Sequence, residues 1–183
     1  FTWTGTYNLK KKIVKNPIRN TKKLKIVAID YGAKNTIFKR LSHTGNEVQV
    51  VPANTKFTNI LNLRPDGIFL AGYSAGAVLA IHLDYLDQIS DLPTSPINVQ
   101  ALVSNIGGSL EGDAGNNGYS SEVSGIVSFA GGINNLSWID SNDKPIVFVH
   151  GTNDFTVNYN CGPGINIPTV LNLCGMNAMK PHL

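Results

Sequence analysis

The chain has 183 residues, 42% of them hydrophobic, which is material for one buried core and, by length, one domain. No apolar run reaches the ~20 residues of a membrane-spanning helix, so no membrane span is expected. The chain opens on Phe1 and reads as a mature product or a fragment. The net charge of +3 is unevenly placed, with 13 Lys+Arg against 3 Asp+Glu up to residue 70 and 2 against 9 beyond it, or +10 and −7.

Residues 1–23 keep no hydrophobic period and hold Gly5, Pro17 and a dense set of lysines, so they read as an extended basic arm. Such an arm raises the question of nucleic acid. Phe1, Trp3 and Tyr7 precede the basic run and are not interleaved with it, so no nucleic-acid partner is expected. Residues 24–183 read as a single α/β domain. A first strand covers Ile26, Val27, Ala28 and Ile29 and ends at Asp30. Gly32 then punctuates the chain before the helical spacing of Ile37, Phe38 and Leu41. Val48, Val50 and Val51 form a second strand stopped by Pro52, a short helix surrounds Ile60 and Leu63, and residues 68–71 form a third strand.

That strand runs into Gly72-Tyr73-Ser74-Ala75-Gly76, followed by the helical pattern Ala77, Leu79, Ala80, Leu83 and Leu86. Strand, small-residue turn and helix around one serine is how a nucleophile elbow is written. The small neighbours permit a sharp turn that exposes the hydroxyl beside the next residue's amide. Acyl transfer through Ser74 is the chemistry it suggests. A second short helix is expected over 99–106, a long Gly/Asn/Ser-rich surface loop over 107–121, a fourth strand over 123–130 and a fifth over 146–149, with Gly151-Thr152-Asn153-Asp154 at its carboxyl end. Alternation of this kind implies right-handed crossovers in a mainly parallel, five-stranded, three-layer α/β fold with strand order 2-1-3-4-5.

Cys161 and Cys174 flank 12 residues rich in Gly and Pro. They read either as a disulfide closing that loop in an oxidising compartment or as two reduced thiols. Neither has a second ligand at metal spacing, so no metal site is expected. Asp113, Asn116 and Asn117 lack EF-hand spacing and read as a solvated loop. Trp138 and Phe129 read as core or loop anchors. No cofactor is implied, and the oligomeric state stays open.

GYSAG, GYSSEVSGIVSFAGGINNLSWID and HGTNDFTVNY together resemble the C-terminal half of an α/β-hydrolase of the lipase or carboxylesterase type, over about residues 71–175. The resemblance implies Ser74 as nucleophile, Ala75 as an oxyanion-hole donor and Asp154 as the triad acid. KIVAIDYGAKNTIFKRL, VQVVPANT and RPDGIFL, within residues 1–70, are similar to the start of the glutamine amidotransferase domain in the small chain of carbamoyl-phosphate synthetase. That family's catalytic Gly-x-Cys-x-Gly elbow and its later His-x-Glu pair have no counterpart here. The resemblance therefore changes near residue 70, where the charge also changes sign, and the chain reads as a chimera within one sheet.

The hydrolase resemblance leaves two gaps. Its oxyanion loop is replaced by Asp30-Tyr31-Gly32-Ala33-Lys34, where Gly32 or Ala33 would supply the second amide. Its histidine base follows elements beyond Asp154 that this chain does not match. His43 reads as a surface residue. His82 lies on the elbow's helix, about 12 Å along the axis from Ser74. His150 and His182 remain as candidates for the base. The expected function is a serine esterase or lipase of weak or no activity on a small-molecule ester. The alternatives are a non-enzymatic chimeric scaffold or a small-chain fragment that docks a large subunit. The hydrolase part implies secretion, the amidotransferase part cytoplasm or plastid.

Overall fold

A computed structural model describes residues 2–3, 24–33, 35–43, 46–63, 65–105, 108–111 and 120–183. The chain divides into two compact units, the first ending at Asp66 and the second spanning Gly67–Leu183.

The first unit contains β1 (Thr2–Trp3), β2 (Lys25–Asp30), α1 (Asn35–His43), β3 (Glu47–Pro52) and α2 (Phe57–Leu61). β2 and β3 run parallel, in register from Lys25↔Glu47 to Asp30↔Pro52. The branched side chains of Val48, Val50 and Val51 favour the pleated strand, and Pro52, with no N–H to donate, is its last residue. Buried Phe38, Val48 and Val50 form the core, with Ile26, Ala28, Ala33 and Leu41 packed against them. β1 pairs antiparallel with β3 through Thr2↔Gln49 and Trp3↔Val48, so β3 has a neighbour on each side and two residues of the N-terminal stretch belong to a sheet. The rest of the arm, residue 1 and residues 4–23, lies outside the described residues.

The second unit holds β4 (Phe69–Tyr73), α3 (Ala75–Tyr85), α4 (Val99–Asn105), β5 (Gly125–Phe129), β6 (Ile146–Val149), β7 (Cys161–Pro163), β8 (Asn172–Cys174) and α5 (Met176–Met179). β4, β5 and β6 form a parallel sheet in that order, with Phe69↔Gly125 and Ile126↔Ile146 among the paired residues. The mixed α/β class with parallel strands is therefore observed within each unit, while the full order 2-1-3-4-5 remains an expectation. The β4–α3–β5 crossover lays α3 on one face, where Ala77, Ala80, Ile81 and Tyr85 are buried. Ile126, Ile133, Trp138, Cys174 and Met179 complete that core. Trp138 is thus a core anchor, and its ring meets His82 edge-on at 5.5 Å. Strand periodicity sends Phe69, Tyr73, Phe129, Val147 and Val149 outward, and all five are exposed. Asp113, Asn116 and Asn117 fall outside the described residues.

Candidate active site

Ser74 joins β4 to α3 with φ 53° and ψ −120°, a conformation that side-chain-bearing residues rarely adopt. Three backbone bonds hold it there. Its N–H donates to the Phe129 carbonyl at 2.8 Å, and its carbonyl accepts from the Ala77 and Val78 amides at 2.9 and 3.0 Å. The strained turn is thus clamped between the neighbouring strand and its own helix. Ala75 is the first helical residue, so its amide is one of those that helix geometry leaves without an intrahelical partner. The glycines flanking the serine are not equivalent. A Cβ on Gly72 would overlap the Gly76 carbonyl and the Ala77 amide, whereas a Cβ on Gly76 would meet nothing.

The neighbouring strand ends repeat the pattern. Ala130, directly after β5, also has φ 53° and donates its N–H to the Val149 carbonyl at 2.8 Å. His150 follows β6. The carboxyl ends of three adjacent parallel strands therefore present Ser74, Ala130 and His150, the end of such a sheet at which ligands bind.

Asp154 lies in the loop after β6. Its Oδ1 accepts from the Thr156 and Val157 amides at 2.9 and 3.1 Å, a turn-capping arrangement. Its Oδ2 lies 3.6 Å from His150 Nε2. The His150 side chain is wholly buried, and both of its nitrogens are engaged. Nε2–H donates to the Val157 carbonyl at 2.9 Å, and Nδ1 accepts from the Met176 amide at 3.4 Å. With its one lone pair and its one proton both committed to backbone, this ring has no means of taking a proton from Ser74.

His82 is committed in the same way. His82 Nδ1–H donates to the Val78 carbonyl at 2.7 Å and its Nε2 accepts from the Asn134 amide at 3.3 Å, so it ties α3 to the loop after β5. His182 sits in the exposed terminal turn Lys180–His182. The His43 side chain lies outside the described residues.

The loop expected to supply the second oxyanion amide is bonded within itself. The amides of Gly32 and Ala33 both donate to Asp30 Oδ1, at 2.8 and 2.9 Å. Asp30 therefore folds the loop onto its own carboxylate and consumes both donors. The signal was legible as an aspartate directly before a turn, with Gly32 at φ +99° allowing the chain to double back. What sequence reasoning missed is His150 as an organiser of the Asp154 loop, because its partners at Val157 and Met176 become neighbours only in the fold.

Cys161 and Cys174 are joined as a disulfide and are directly paired residues of the β7–β8 ladder. Among the described residues no group of three or more His, Cys, Asp or Glu side chains could hold a metal ion. A cavity of about 340 Å³ lies at the opposite end of β6, lined by Tyr85, Asp140, Asp143, Lys144 and Ile146 among others, and contains none of the candidate site residues.

Comparison with known proteins bears on part of the chain. No protein-family model matches it, and no solved structure does. Among curated proteins it is 54% identical over 48 residues to the carbamoyl phosphate synthase small chain of Mesorhizobium japonicum, covering 26% of this chain and 12% of that one. It is 39% identical over 72 residues to the small chain of Pasteurella multocida, covering 39% and 18%. To the chloroplastic small chain of Oryza sativa it is 42% identical over 53 residues, covering 29% and 12%. The chain thus spans between about an eighth and a fifth of the length of these relatives. Part of it is similar to carbamoyl phosphate synthase small chains, and the hydrolase resemblance rests on its motifs alone.

Proposed function

We propose that the chain is a composite: a small-chain-like piece serving as scaffold, and a second unit carrying a serine nucleophile elbow whose acyl chemistry on carboxylic esters is weak. The local identity to small chains supports the first part, while with no Gly-x-Cys-x-Gly elbow in this sequence glutamine hydrolysis is not supported. One observation carries the second part, the clamped backbone of Ser74 at φ 53°, ψ −120° between a parallel strand and a helix.

In this reading Ser74 Oγ attacks the ester carbonyl, the Ala75 amide donates to the developing oxyanion, and the alcohol leaves to give an acyl-serine that water hydrolyses. In this reading solvent accepts the serine proton, because His82 and His150 are committed elsewhere. Triads stripped of a member retain ~10³–10⁴ over water from binding and the oxyanion hole alone. With a single oxyanion amide, turnover here falls below that range. The test is reaction with a fluorophosphonate probe, comparing the protein with Ser74→Ala and locating any adduct by mass spectrometry. Labelling confined to Ser74 is expected, slow and absent in the variant. A folded sample that takes no label at Ser74 leaves the non-enzymatic scaffold.

The small-chain identities also favour a second reading, a fragment that docks a large synthetase subunit through its basic half. Co-purification with such a subunit supports it, and failure to co-purify removes it.

A further inference from the structure

We propose that the Cys161–Cys174 disulfide is a thiol-addressable latch on the loop that carries Asp154. The two cysteines differ in exposure: Cys161 is exposed, whereas Cys174 is 8% exposed and belongs to the core beside Ile133 and Met179. An incoming thiolate therefore attacks Cys161 Sγ, forming a mixed disulfide there and expelling Cys174 as a thiolate that takes up a proton. The second thiol of a dithiol reductant then displaces Cys161, so two electrons pass to the protein and the reductant leaves as its own disulfide.

The bond's position in the chain decides what this does. Asn160 precedes Cys161, and the three residues after Cys174 all donate backbone amides into residues 150–160. Gly175 donates to the Asn160 carbonyl at 2.6 Å, Met176 to His150 Nδ1 at 3.4 Å and Asn177 to the Tyr159 carbonyl at 3.0 Å. His150 passes the restraint to the Val157 carbonyl, and the Val157 amide caps Asp154 Oδ1. A continuous line of bonds thus runs from the disulfide to Asp154. The segment inside the ring adds one bond to that loop, from the Ile165 amide to the Thr156 carbonyl at 2.7 Å, but residues 165–172 are exposed and bury no side chain. The reduced Cys174 remains a small apolar residue where it stands, so the core does not need the bond. Opening the latch loosens the 150–160 loop and leaves β4 and α3 in place. The latch holds whether or not Ser74 reacts.

The experiment is hydrogen exchange by mass spectrometry on the whole protein, oxidised and after dithiothreitol without denaturant, with alkylation to count free thiols and a Cys161→Ser/Cys174→Ser variant in parallel. Two alkylated cysteines are expected, with exchange about tenfold or more faster over 150–160 and 172–177 and within about twofold over 69–85. The double variant should reproduce the reduced pattern. Resistance of the bond to native reduction, unchanged exchange once it is broken, equal acceleration over 69–85, or a double variant that exchanges like the oxidised protein each overturn the latch. Fluorophosphonate labelling is not among these readouts, so loss of the latch and loss of the hydrolase reading are separate results.

Discussion

The two units differ in where their backbones are held under strain. Among the described residues, the non-glycine positions with positive φ are Ser74, Ala130, Ile165 and Asn166, all beyond Asp66. In the first unit the corresponding turn uses a glycine, Gly32 at φ +99°, and its amides are satisfied within three residues by Asp30. Among the described residues, the first unit builds its sheet around Phe38, Val48 and Val50 without such a position, while the second stores unfavourable backbone geometry at two adjacent strand ends. Strain of order 1–3 kcal/mol per residue persists only where surrounding bonds over-determine it, and it gathers at functional sites. The proposed division, with scaffold in the first unit and chemistry in the second, rests on this contrast.

That contrast is broken most severely at Gly72. Gly72→Ala drives a Cβ into the Gly76 carbonyl and the Ala77 amide, which are backbone and cannot rotate away. A loss of about 3 kcal/mol or more is expected in denaturant unfolding followed on the second unit. Gly76→Ala, in open space within the helix, should instead gain up to about 1 kcal/mol from helix propensity. Equal losses from the two variants would show that the elbow is not packed as described.

Ser74→Gly sharpens the comparison by removing the strain itself. Glycine accepts φ 53°, ψ −120° at little steric cost, which recovers ~1–3 kcal/mol, against about 0.5–1 kcal/mol lost to the greater freedom of the unfolded chain. A net gain of about 1 kcal/mol is expected in the same unfolding measurement, together with loss of any serine labelling. A net loss would mean that the serine side chain stabilises the turn and the conformation is not strained.

Much of this was legible in the sequence, and the exceptions share a cause. Alternation of apolar and turn residues located β2, β3, β4, β5 and β6 and the helices α1, α2 and α3, because those signals are local. The expected strand over 123–130 became Gly125–Phe129, and the helix over 99–106 became Val99–Asn105, differences confined to the ends. The β7–β8 hairpin was hidden because Gly162 and Pro163 read as loop. What makes β7 a strand is pairing with residues 172–174 and the disulfide, not propensity. β1 was hidden likewise, since Thr2 and Trp3 gain strand character only by pairing with β3. GYSAG marked the sharp strand-to-helix turn at Ser74, yet the commitment of His150 to Val157 and Met176 and of Gly32 and Ala33 to Asp30 are bonding facts that residue identities do not carry.

The smallest expected effect is electrostatic and belongs to the acidic second unit. Asp143 stands where the turn before β6 meets the end of α3, and burial is the main cause that pushes its carboxyl up from 3.8 to about 6, with the charges of Asp140, Asp87 and Asp84 adding to the rise and the bond from the Asp140 amide opposing it. Asp84 and Asp87 are raised too, again chiefly by burial. A carboxyl whose folded value lies above its unfolded value binds protons more readily in the folded state. Stability should therefore rise as pH falls from 7 through about 6, and the gain should be complete below 3.8, where the unfolded chain is protonated as well. This is opposite in sign to the acid lability of carboxylates held in ion pairs. Asp143→Asn keeps an acceptor for the Asp140 amide and removes the charge, so it should stabilise the protein at pH 7 and flatten the slope between pH 7 and 5. Unfolding midpoints at pH 7, 6 and 5 decide the matter. A decline from 7 to 5 in the parent, or an unchanged slope in the variant, would mean that Asp143 is solvated in solution and that the turn before β6 is more open than its bonds to Asp140 and Asp84 indicate.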